Sequence, residues 1–283
     1  MTFTGVVSVG KIRGKREGVM KGGVTEERIL EEIPEEIAGL RKPPERLWYR
    51  GDPGLLKRPK VSIVGTRRPS AYTRDTVRLL ASELAKRGVA VVSGAAMGVD
   101  AQAHMGAGAA NTIAVLGNGV DIRYPAINRS LIETIEREGL LLSRFEPGFR
   151  ATNWSFVVRN ELVVALGEVL IVAEAEEESG SMRSAEYALK QGREIWVLPH
   201  RLGESSGTHR LLREGQARCI HSVEDFASRF GEVPGVEMPM DEFFLFVQRR
   251  PTLDEAVSRF GDRVYEAELS GEIVIEAGRV MPA

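Results

Sequence analysis

Six short apolar runs, rich in β-branched residues, recur along the middle of the chain. Each run is followed by a glycine-containing turn and then by a stretch with helical periodicity. This alternation is typical of parallel strands that helices cover on both faces, because both sides of each strand are then buried. The pattern therefore predicts an α/β fold with a doubly wound, mainly parallel sheet. The six predicted strands are VSIVGT, VAVVSG, TIAVLG, LLLSRF, VLIVAEA and EIWVLP.

The stretch after the first strand shows the helical part of the pattern. Its apolar residues recur at helical spacing, and Gly88 follows where a left-handed C-terminal cap is expected. The sequence therefore predicts a long amphipathic helix that leads directly into the second strand. The apolar positions of this helix are Val77, Leu80, Ala81 and Leu84.

The pattern changes at both ends of the chain. Residues 1–45 combine a glycine- and lysine-rich start with an acidic helical piece and a turn-rich stretch, and we interpret them as an N-terminal extension without its own core. The α/β domain covers residues 46–230, and GEVPGVEMP at 231–239 predicts a linker. Residues 240–283 predict two short helices and a hairpin, with a capping box in TLDE at 252–255.

Composition narrows the class of protein. With 283 residues and 43% hydrophobic content, the chain can bury a full core and a second small domain. One cysteine, Cys219, excludes a disulfide framework, and the four histidines lack ligand spacing, so we expect no metal site. The start is too broken by glycine for a signal sequence, and Glu168 interrupts the most apolar stretch. We therefore expect a cytosolic protein without a membrane span.

The residues that follow the predicted strands are the candidates for a binding site. In doubly wound sheets, ligands bind beyond the carboxyl ends of the strands, where the direction of successive crossovers reverses. Glycines there let the backbone approach a ligand, although each glycine alone also fits simple turn geometry. Together they predict a phosphate-lined cleft. The glycines are Gly65, Gly94, Gly98, Gly117, Gly119 and Gly180.

Two adjacent arginines, Arg67 and Arg68, occupy the first of these turns. The net charge of the chain is only −2, so the location of the charge matters more than its sum. Guanidinium groups bind phosphate oxygens two at a time, and an anionic ligand would explain the pair. Alternatively, Arg68 forms an ion pair with an acid such as Asp75 or Asp100.

These motifs, in this order, resemble the DNA-processing protein A (DprA/Smf) family over about residues 40–225. The resemblance implies an extended Rossmann-like fold at 46–230 that binds single-stranded DNA and a truncated winged-helix-like domain at 240–283. It further implies a protein of natural transformation that protects incoming DNA, helps load the RecA recombinase and forms a homodimer. We expect no cofactor and no enzyme activity. The motifs are VSIVGTRRPSAY, VVSGAAMGVDAQAH, TIAVLGNGVDIRYPAIN, FVVRNELVVAL, SGSMRSAEYALKQGREIWVLP and SSGTHRLLREGQA.

The matching positions imply a set of DNA-binding residues. Phe156 would stack on bases, although an amphipathic helix also uses phenylalanine in the core. Asp100 and His104 share a helix face and would form a hydrogen-bonded pair that shapes the pocket rather than acting in catalysis. The full set is Gly65, Thr66, Arg67, Arg68, Ser93, Gly94, Gly98, Asp100, Gly117, Gly119, Phe156, Arg159, Asn160, Ser179, Gly180 and Ser181.

The sequence departs from the family pattern at several positions. Glu161 replaces an arginine that often follows R-N, and His200 and His209 replace glycine and asparagine. Asn153 stands where some relatives have a lysine, which would remove a cation from the phosphate track. Arg150 could substitute for that lysine. These departures predict an altered region of base contact.

Two other functions fit the same fold. Nucleotide-cleaving phosphoribohydrolases use an arginine and a glutamate, which Arg159 and Glu186 could represent, but the turn ESGSMRSAE lacks their double glycine. A sensor of small nucleotides would bind phosphate in the same cleft. Both functions use a mononucleotide as the ligand, whereas DNA binding requires a cleft that admits a longer strand.

Two segments bear on assembly. The stripe in VEDFASRF, formed by Val223, Phe226, Ala227 and Phe230, fits either a dimer interface or packing against the parent sheet. The C-terminal segment GDRVYEAELSGE is acidic, which disfavours contact with duplex phosphates. We expect a protein contact or a structural lid there.

Overall fold

The computed structural model describes residues 27–233, 242–276 and 278–282. Within them, a nine-stranded sheet forms the centre of the α/β domain. All six predicted strands are present as β3 to β8 and run parallel to one another, which confirms the fold class. The strands are β1 (Arg28–Ile29), β2 (Trp48–Gly51), β3 (Lys60–Val64), β4 (Ala90–Ser93), β5 (Thr112–Val115), β6 (Leu140–Ser143), β7 (Val169–Val172), β8 (Glu194–Val197) and β9 (Arg218–Cys219).

The order of the strands fixes where a ligand can bind. The sheet runs β1-β2-β6-β5-β4-β3-β7-β8-β9. The chain therefore moves outward from β3 to β6 and then returns to the other side of β3 with β7. This reversal is the switch point of a doubly wound sheet, and a crevice opens there beyond the carboxyl ends of β3 and β7.

Helices cover both faces of the sheet. Val61 and Ile63 of β3 pack in the cluster that contains the buried residues of α2, α3 and α8, whereas Val64 packs with α5, α6 and α7 on the other face. This alternation follows from the two-residue period of a strand. No helix of the described residues has the length and apolar character that a membrane crossing requires. The helices are α1 (Glu35–Ala38), α2 (Ala71–Lys86), α3 (Val99–Ala107), α4 (Arg129–Glu138), α5 (Asn153–Leu166), α6 (Gly180–Lys190), α7 (Ser206–Arg213) and α8 (Val223–Ser228), with 3₁₀ turns at Pro53–Lys57, Ala109–Asn111 and Ala126–Asn128.

Helix α2 ends as its sequence predicts. Gly88 has φ +79°, and its N–H donates to the Ala85 carbonyl at 3.0 Å while the Val89 N–H donates to the Leu84 carbonyl at 3.1 Å. These two bonds form a Schellman motif, which uses the last carbonyls of the helix. The predicted apolar stripe is buried. The cap therefore directs the chain straight into β4.

The N-terminal part of the described chain differs from the sequence prediction. The stretch RLWYRGDPG contains β2, which pairs antiparallel with β6, although no strand is predicted there. The strand has four residues, and both Trp48 and Tyr49 are half-buried, so it carries no apolar alternation that sequence could reveal. Ile37 and Leu40 of the predicted extension join the main apolar cluster. Residues 1–26 of that extension lie outside the described residues.

The apolar stripe of α8 packs within its own domain. Phe226 is 3% exposed and lies against Trp196, with ring centroids 5.0 Å apart. Val223, Ala227 and Phe230 join the same cluster. The stripe is thus packed against the parent sheet and lends no support to a dimer interface.

Among its described residues, the C-terminal module has three helices, one more than the sequence predicts, and a hairpin. The capping box of Thr252 and Glu255 is confirmed, with both reciprocal bonds present. The described residues of its apolar core all belong to the module itself, and none comes from the α/β domain. The winged-helix assignment stays a prediction, and most of the linker at 231–239 lies outside the described residues. The elements are α9 (Glu242–Val247), α10 (Leu253–Phe260), α11 (Arg263–Leu269), β10 (Ile273–Glu276) and β11 (Arg279–Pro282).

Candidate functional site

A cavity of about 550 Å³ opens at the switch point of the sheet. The turns after β3 and β7 form two of its walls, and α5 forms a third. The topology thus brings together most of the residues that the sequence predicts for the site, from five separate segments. The predicted residues that line the cavity are Gly65, Thr66, Arg67, Arg68, Gly94, Asp100, Phe156, Arg159, Asn160, Ser179, Gly180 and Ser181.

Arg67 and Arg68 are exposed at this cavity. Neither forms an ion pair with any residue that the structure describes, so the alternative pairing of Arg68 with Asp75 or Asp100 is wrong. The Arg68 backbone N–H donates to the Thr66 hydroxyl at 3.2 Å, which shapes the turn. Both guanidinium groups therefore remain available to an anion.

Phe156 lies at the cavity wall rather than in the apolar core. Its ring is 6.0 Å from that of Tyr124, and the Arg67 guanidinium carbon lies 5.9 Å from its centroid. Gly117 permits this position, because a Cβ there would lie 2.7 Å from the ring. A small second cavity of about 40 Å³ adjoins the first, and Met97, Gly117, Tyr124 and Phe156 line it. Tyr124 is half-exposed, and we did not predict it as a site residue.

Arg159 is buried and binds the protein's own backbone. Its Nη1 donates to the carbonyls of Gly94 and Val115, the second at 2.7 Å, and its Nε donates to the Asn160 side chain at 3.0 Å. Gly94 must lack a side chain, since a Cβ would lie 2.1 Å from that Nη1. Burial lowers the pKa of Arg159. This arginine fastens the turn after β4 to the end of β5 and so positions the cavity floor.

Asp100 and His104 hold the same turn but do not bond to each other. The Asp100 carboxylate accepts from the N–H groups of Gly94 at 3.1 Å and Ala96 at 3.3 Å. The Ala95 N–H donates to His104 Nε2 at 3.3 Å, so the proton lies on Nδ1, 2.9 Å from the Thr112 hydroxyl. The predicted Asp100–His104 bond is therefore wrong, whereas the preference for a structural role agrees with these contacts.

Burial shifts the pKa values of both side chains. It lowers the pKa of His104 to about 3, with a further contribution from the nearby charge of Arg159. It raises the pKa of Asp100, while Arg159 and the two backbone donors oppose that rise. His104 is therefore neutral near pH 7, which leaves its Nε2 free to accept the hydrogen bond from the backbone.

Four predicted residues lie outside the main cavity. The Ser93 hydroxyl is buried and donates to the Ile63 carbonyl at 2.6 Å. A Cβ on Gly98 would lie 2.3 Å from the Thr66 carbonyl, and one on Gly119 would lie 2.5 Å from the Asp121 carboxylate. Gly117 lines only the smaller cavity. These residues shape the turns of the site, and their contact with DNA stays a prediction.

The glycines serve mainly the protein's own packing. At Gly65, a Cβ would lie 2.5 Å from the Val99 side chain, which explains the residue without a ligand. Gly180 is different, because nothing lies within 4 Å of the position of its missing Cβ. Only this one of the predicted glycines thus combines a place in the main cavity with open space beside it.

The residues at which the sequence departs from the family pattern fall in different places. Asn153 lines the main cavity, whereas Glu161 lines a separate cavity with Tyr187 and Arg193. His200 and His209 each have a ring nitrogen within hydrogen-bond distance of a backbone carbonyl, at 2.7 and 3.2 Å. Of these four departures, only Asn153 therefore changes the wall of the candidate site.

Arg183 and Ser184 line the cavity without having been predicted. Both follow the start of α6, so the helical pattern together with the SGS motif could have indicated them. Glu178 adds a carboxylate to the same wall. Glu186 is exposed and does not line the cavity, so it does not face Arg159 there as the phosphoribohydrolase reading requires. In the described part of the chain, no group of three potential ligands is arranged to hold a metal ion.

The known proteins with similar sequences include DprA and Smf proteins of several bacteria. The DNA processing protein DprA of Streptococcus pneumoniae is 36% identical over 201 residues, which cover 70% of this chain and 71% of the relative. The DprA of Bacillus subtilis is 36% identical over 208 residues, covering 72% and 69%. The protein Smf of Escherichia coli is 31% identical over 257 residues.

Solved structures agree with these sequences. DNA processing protein A of Helicobacter pylori, whose structure was studied for its single-stranded DNA binding mode, aligns with TM-score 0.71 and 42% identity over 73% of this chain and 96% of that one. DprA of Streptococcus pneumoniae aligns with TM-score 0.67 and 34% identity over 74% of this chain and 75% of that one. The resemblance to DprA and Smf is thereby confirmed. Because the model of the DNA recombination-mediator protein A family also matches residues 28–231, the chain belongs to that family.

Proposed function

We propose that the chain binds single-stranded DNA in the cavity at the switch point, protects incoming DNA during natural transformation and helps load the RecA recombinase. The observation that carries the proposal is the arrangement of Arg67, Arg68 and Phe156. Two exposed cations that form no ion pair with any described residue line the same cavity as an aromatic ring. The guanidinium carbon of Arg67 lies 5.9 Å from the centroid of that ring. Cations attract any phosphate backbone, and a ring stacks with any base. The combination favours a strand of any sequence.

The relatives support the proposal. The Helicobacter pylori protein, which aligns over most of its length, binds single-stranded DNA. Arg67 and Phe156 belong to the motifs shared with this family. Protection follows from occupancy, because a strand held in the cavity is less accessible to nucleases. Loading of the recombinase requires a protein contact elsewhere on the molecule.

Binding rather than cleavage is the second part of the proposal. Arg159 lines the cavity but donates to backbone carbonyls, and Glu186 lies outside the lining; this supports a site without the arginine–glutamate pair of a phosphoribohydrolase. Incubation with nucleoside monophosphates should release no free base. Release at an enzyme-like rate would contradict this part.

Assembly and location complete the proposal. A homodimer would place two cavities on one strand and raise the affinity through effective concentration. Because Phe226 is buried in its own domain, the interface must use other residues. We expect light scattering to give a dimer at micromolar concentration, and a monomer would contradict it. The cytosol is the expected location.

The decisive measurement is binding of a fluorescent oligothymidine compared with its duplex at several salt concentrations. We expect preference for the single strand, with an affinity that falls with salt by about 0.7 log units per log unit for each phosphate contact. Equal affinity for the duplex would contradict the proposal. Tighter binding of a mononucleotide than of the oligomer would favour a nucleotide sensor.

A further inference from the structure

A second large cavity, of about 730 Å³, lies where α1 and the residues after it meet the middle of α5 and the end of α6. Among the described residues, none lines both this cavity and the one at the switch point. Its volume is in the range of about 300 to 1,000 Å³ that is typical of ligand sites. We propose that this α1–α6 cavity binds a short peptide that carries both a carboxylate and a cation. The residues on which the proposal rests are Glu35, Arg41, Glu161, Lys190, Gln191 and Arg193.

Charges of both signs line the α1–α6 cavity without pairing with each other. Glu36 is neutralised by Lys60, whose ammonium lies 3.2 Å from its carboxylate. Five other charged side chains of the lining form no ion pair with any described residue. A ligand that carries both signs can complement such a lining, because each of its charges meets an opposite one. The five are the carboxylates of Glu35 and Glu161 and the cations of Arg41, Lys190 and Arg193.

The end of α6 forms the donor side of the cavity. Lys190 and Arg193 flank Gln191 there, and all three side chains carry N–H groups. The Arg193 guanidinium donates to the Ala165 carbonyl at 2.9 Å, which holds it at the wall. Lys190 also offsets the dipole at this end of the helix, so it is explained without a ligand. Gln191 and Glu161 have no such explanation.

The Gln191 amide is a donor that the fold leaves unused. Its Nε2 is buried and has no hydrogen-bond partner among the described residues. A buried donor without an acceptor lowers the stability of a protein, so it indicates a group that binds there in function. Rotation of the side chain toward the cavity would let this amide donate to a ligand carboxylate between Lys190 and Arg193.

Glu161 supplies the acceptor for the cation of the ligand. It is half-buried, and it forms no ion pair with any residue that the structure describes. Burial raises the pKa of Tyr187, and the nearby charge of Glu161 raises it further, so the Tyr187 hydroxyl remains a donor near pH 7. The family pattern often has an arginine at position 161. The departure from that pattern therefore gives this chain a carboxylate in the cavity.

The mixed lining selects the class of ligand. Glu35 and Glu161 repel a phosphate chain, and the three cations repel a purely cationic ligand. A peptide has carboxylates and cations together, on its side chains or at its two ends. Its backbone amides also offer acceptors and donors to Gln191 and Tyr187. The same chemistry is found in free peptides and in segments of a partner protein.

The first test uses the unchanged full chain and three tripeptides that are acetylated and amidated, so that only their side chains carry charge. The mixed peptide has one glutamate and one lysine around a glycine, and the others have two glutamates or two lysines. Proton NMR titration measures the affinities. We expect the mixed peptide to bind saturably and at least about tenfold more tightly than either peptide of one sign. A peptide of one sign that binds as tightly as the mixed peptide would overturn the inference.

Uncapped triglycine separates the two sources of the ligand, because it carries charge only at its ends. Tighter binding of triglycine than of the capped mixed peptide assigns the cavity to free peptides or chain ends. Tighter binding of the capped mixed peptide assigns it to an internal segment of a partner protein. If neither peptide binds saturably at millimolar concentration, the inference is wrong.

Glu161→Gln tests the acceptor with little change in shape. We expect it to bind the mixed peptide about tenfold more weakly, as the loss of a hydrogen bond to a charged group predicts. Glu161→Arg, which restores the residue of the family pattern, should shift the preference to the acidic peptide. Glu138→Gln is the matched control, because Glu138 is exposed on α4 outside the cavity, and its affinity should not change. Unchanged affinity in Glu161→Gln would overturn the inference.

Gln191→Leu gives a readout of stability as well as binding. It removes a buried donor without a partner, so the ligand-free variant should melt at the same temperature as the unchanged protein or higher, yet bind the peptide more weakly. A lower melting temperature with unchanged affinity would show that the amide serves the fold and would contradict its place in the site. Saturating peptide should leave oligothymidine binding unchanged. Competition between the two would place the peptide at the switch point and overturn the inference.

Discussion

Arg67 and Arg159 line the same cavity, and their difference in burial separates their roles. Arg159 is 5% exposed, and its guanidinium donates to two backbone carbonyls, so it holds the turn after β4 in place. Arg67 is exposed and has no ion-pair partner in the described part of the chain, so its charge remains available to a ligand. Substitution of either arginine should weaken binding, but only that of Arg159 should also weaken the fold.

We expect Arg67→Ala to weaken oligothymidine binding at all sequences. A plot of the logarithm of the binding constant against the logarithm of the salt concentration should have a slope that is less negative by about 0.7. This is the contribution of one phosphate contact in a single strand, which is lost with the cation. The melting temperature should not change. Fluorescence titration at several salt concentrations measures the slope.

Arg137→Ala provides the control for Arg67→Ala, since Arg137 is exposed on α4 and does not line the cavity. An unchanged affinity and slope in Arg67→Ala would assign Arg67 to a structural role. A slope that also changes in Arg137→Ala would indicate diffuse attraction rather than a site.

His104 should make the protein sensitive to acid. Its pKa is about 3 in the folded chain and near 6.5 when unfolded, so the unfolded state binds the extra proton first. The stabilisation is complete above about pH 6.5 and is lost as the pH falls toward about 3, by up to about 4 to 5 kcal/mol. Denaturant unfolding of the unchanged chain and of His104→Gln at several pH values measures this loss.

The difference between these two proteins isolates His104, because burial also shifts the pKa of the neighbouring Asp100, upward from its ordinary value. We expect the stability advantage of the unchanged chain over His104→Gln to shrink as the pH is lowered. A constant difference between pH 7 and pH 4 would show that His104 does not titrate as its burial predicts.

Among the secondary-structure elements, α4 holds the loop that carries Tyr124 in place through an ion pair. Glu136 of α4 is 5% exposed and forms ion pairs with Arg123, which directly precedes Tyr124, and with Arg50 of β2 at 2.7 Å. The Arg123 guanidinium also donates to the Val120 carbonyl at 2.7 Å. One buried carboxylate therefore links β2 to the loop that carries Tyr124, a residue of the smaller cavity.

Removing that carboxylate should affect both stability and binding. Glu136→Ala removes this carboxylate from the buried Arg50, which keeps its ion pair with Glu27, and from the half-buried Arg123. We expect the free energy of unfolding to fall by about 1 to 3 kcal/mol. The affinity for oligothymidine should fall as well, because the loop with Tyr124 is no longer held. Glu138→Ala, an exposed position on the same helix, is the control and should change neither quantity. A Glu136→Ala protein of unchanged stability would contradict this account.

On the scale of the whole molecule, the described residues form separate apolar clusters in the α/β domain and the C-terminal module. The cluster with Phe243 and Val264 contains only residues of the module, and the clusters with Val61 and Leu140 contain none of them. The acidic segment GDRVYEAELSGE of the module also carries exposed acids, among them Glu266 and Glu268. Its surface therefore offers little attraction to phosphate.

A chain that ends at Val233 should retain the candidate site. We expect its α/β domain to melt at the temperature found in the full chain, because the described clusters of that domain use no residue beyond this point. The affinity for oligothymidine should stay within about twofold, a difference well below the roughly 1.4 kcal/mol of a tenfold change. Calorimetry and fluorescence titration measure the two quantities. A tenfold loss of affinity would show that the module contributes to DNA binding.

The sequence by itself determined the parallel sheet and the location of the candidate site. The β-branched runs indicate strands that are buried on both faces, and a doubly wound order places their carboxyl ends at one crevice, so Arg67 and Gly180 could be assigned to the same site from local patterns. The capping box at Thr252 and the cap at Gly88 were equally predictable, because both depend on a few neighbouring residues.

Only the tertiary structure decided what each side chain does there. β2 forms because β6 offers it an edge, a long-range condition that four residues cannot signal. Asp100 and His104 share a helix face, yet each bonds to the backbone of the turn after β4. Phe226 is buried by its own domain, and Ser184 stays unpartnered at the cavity. Burial and hydrogen bonding depend on contacts between residues far apart in the chain, so local patterns cannot specify them.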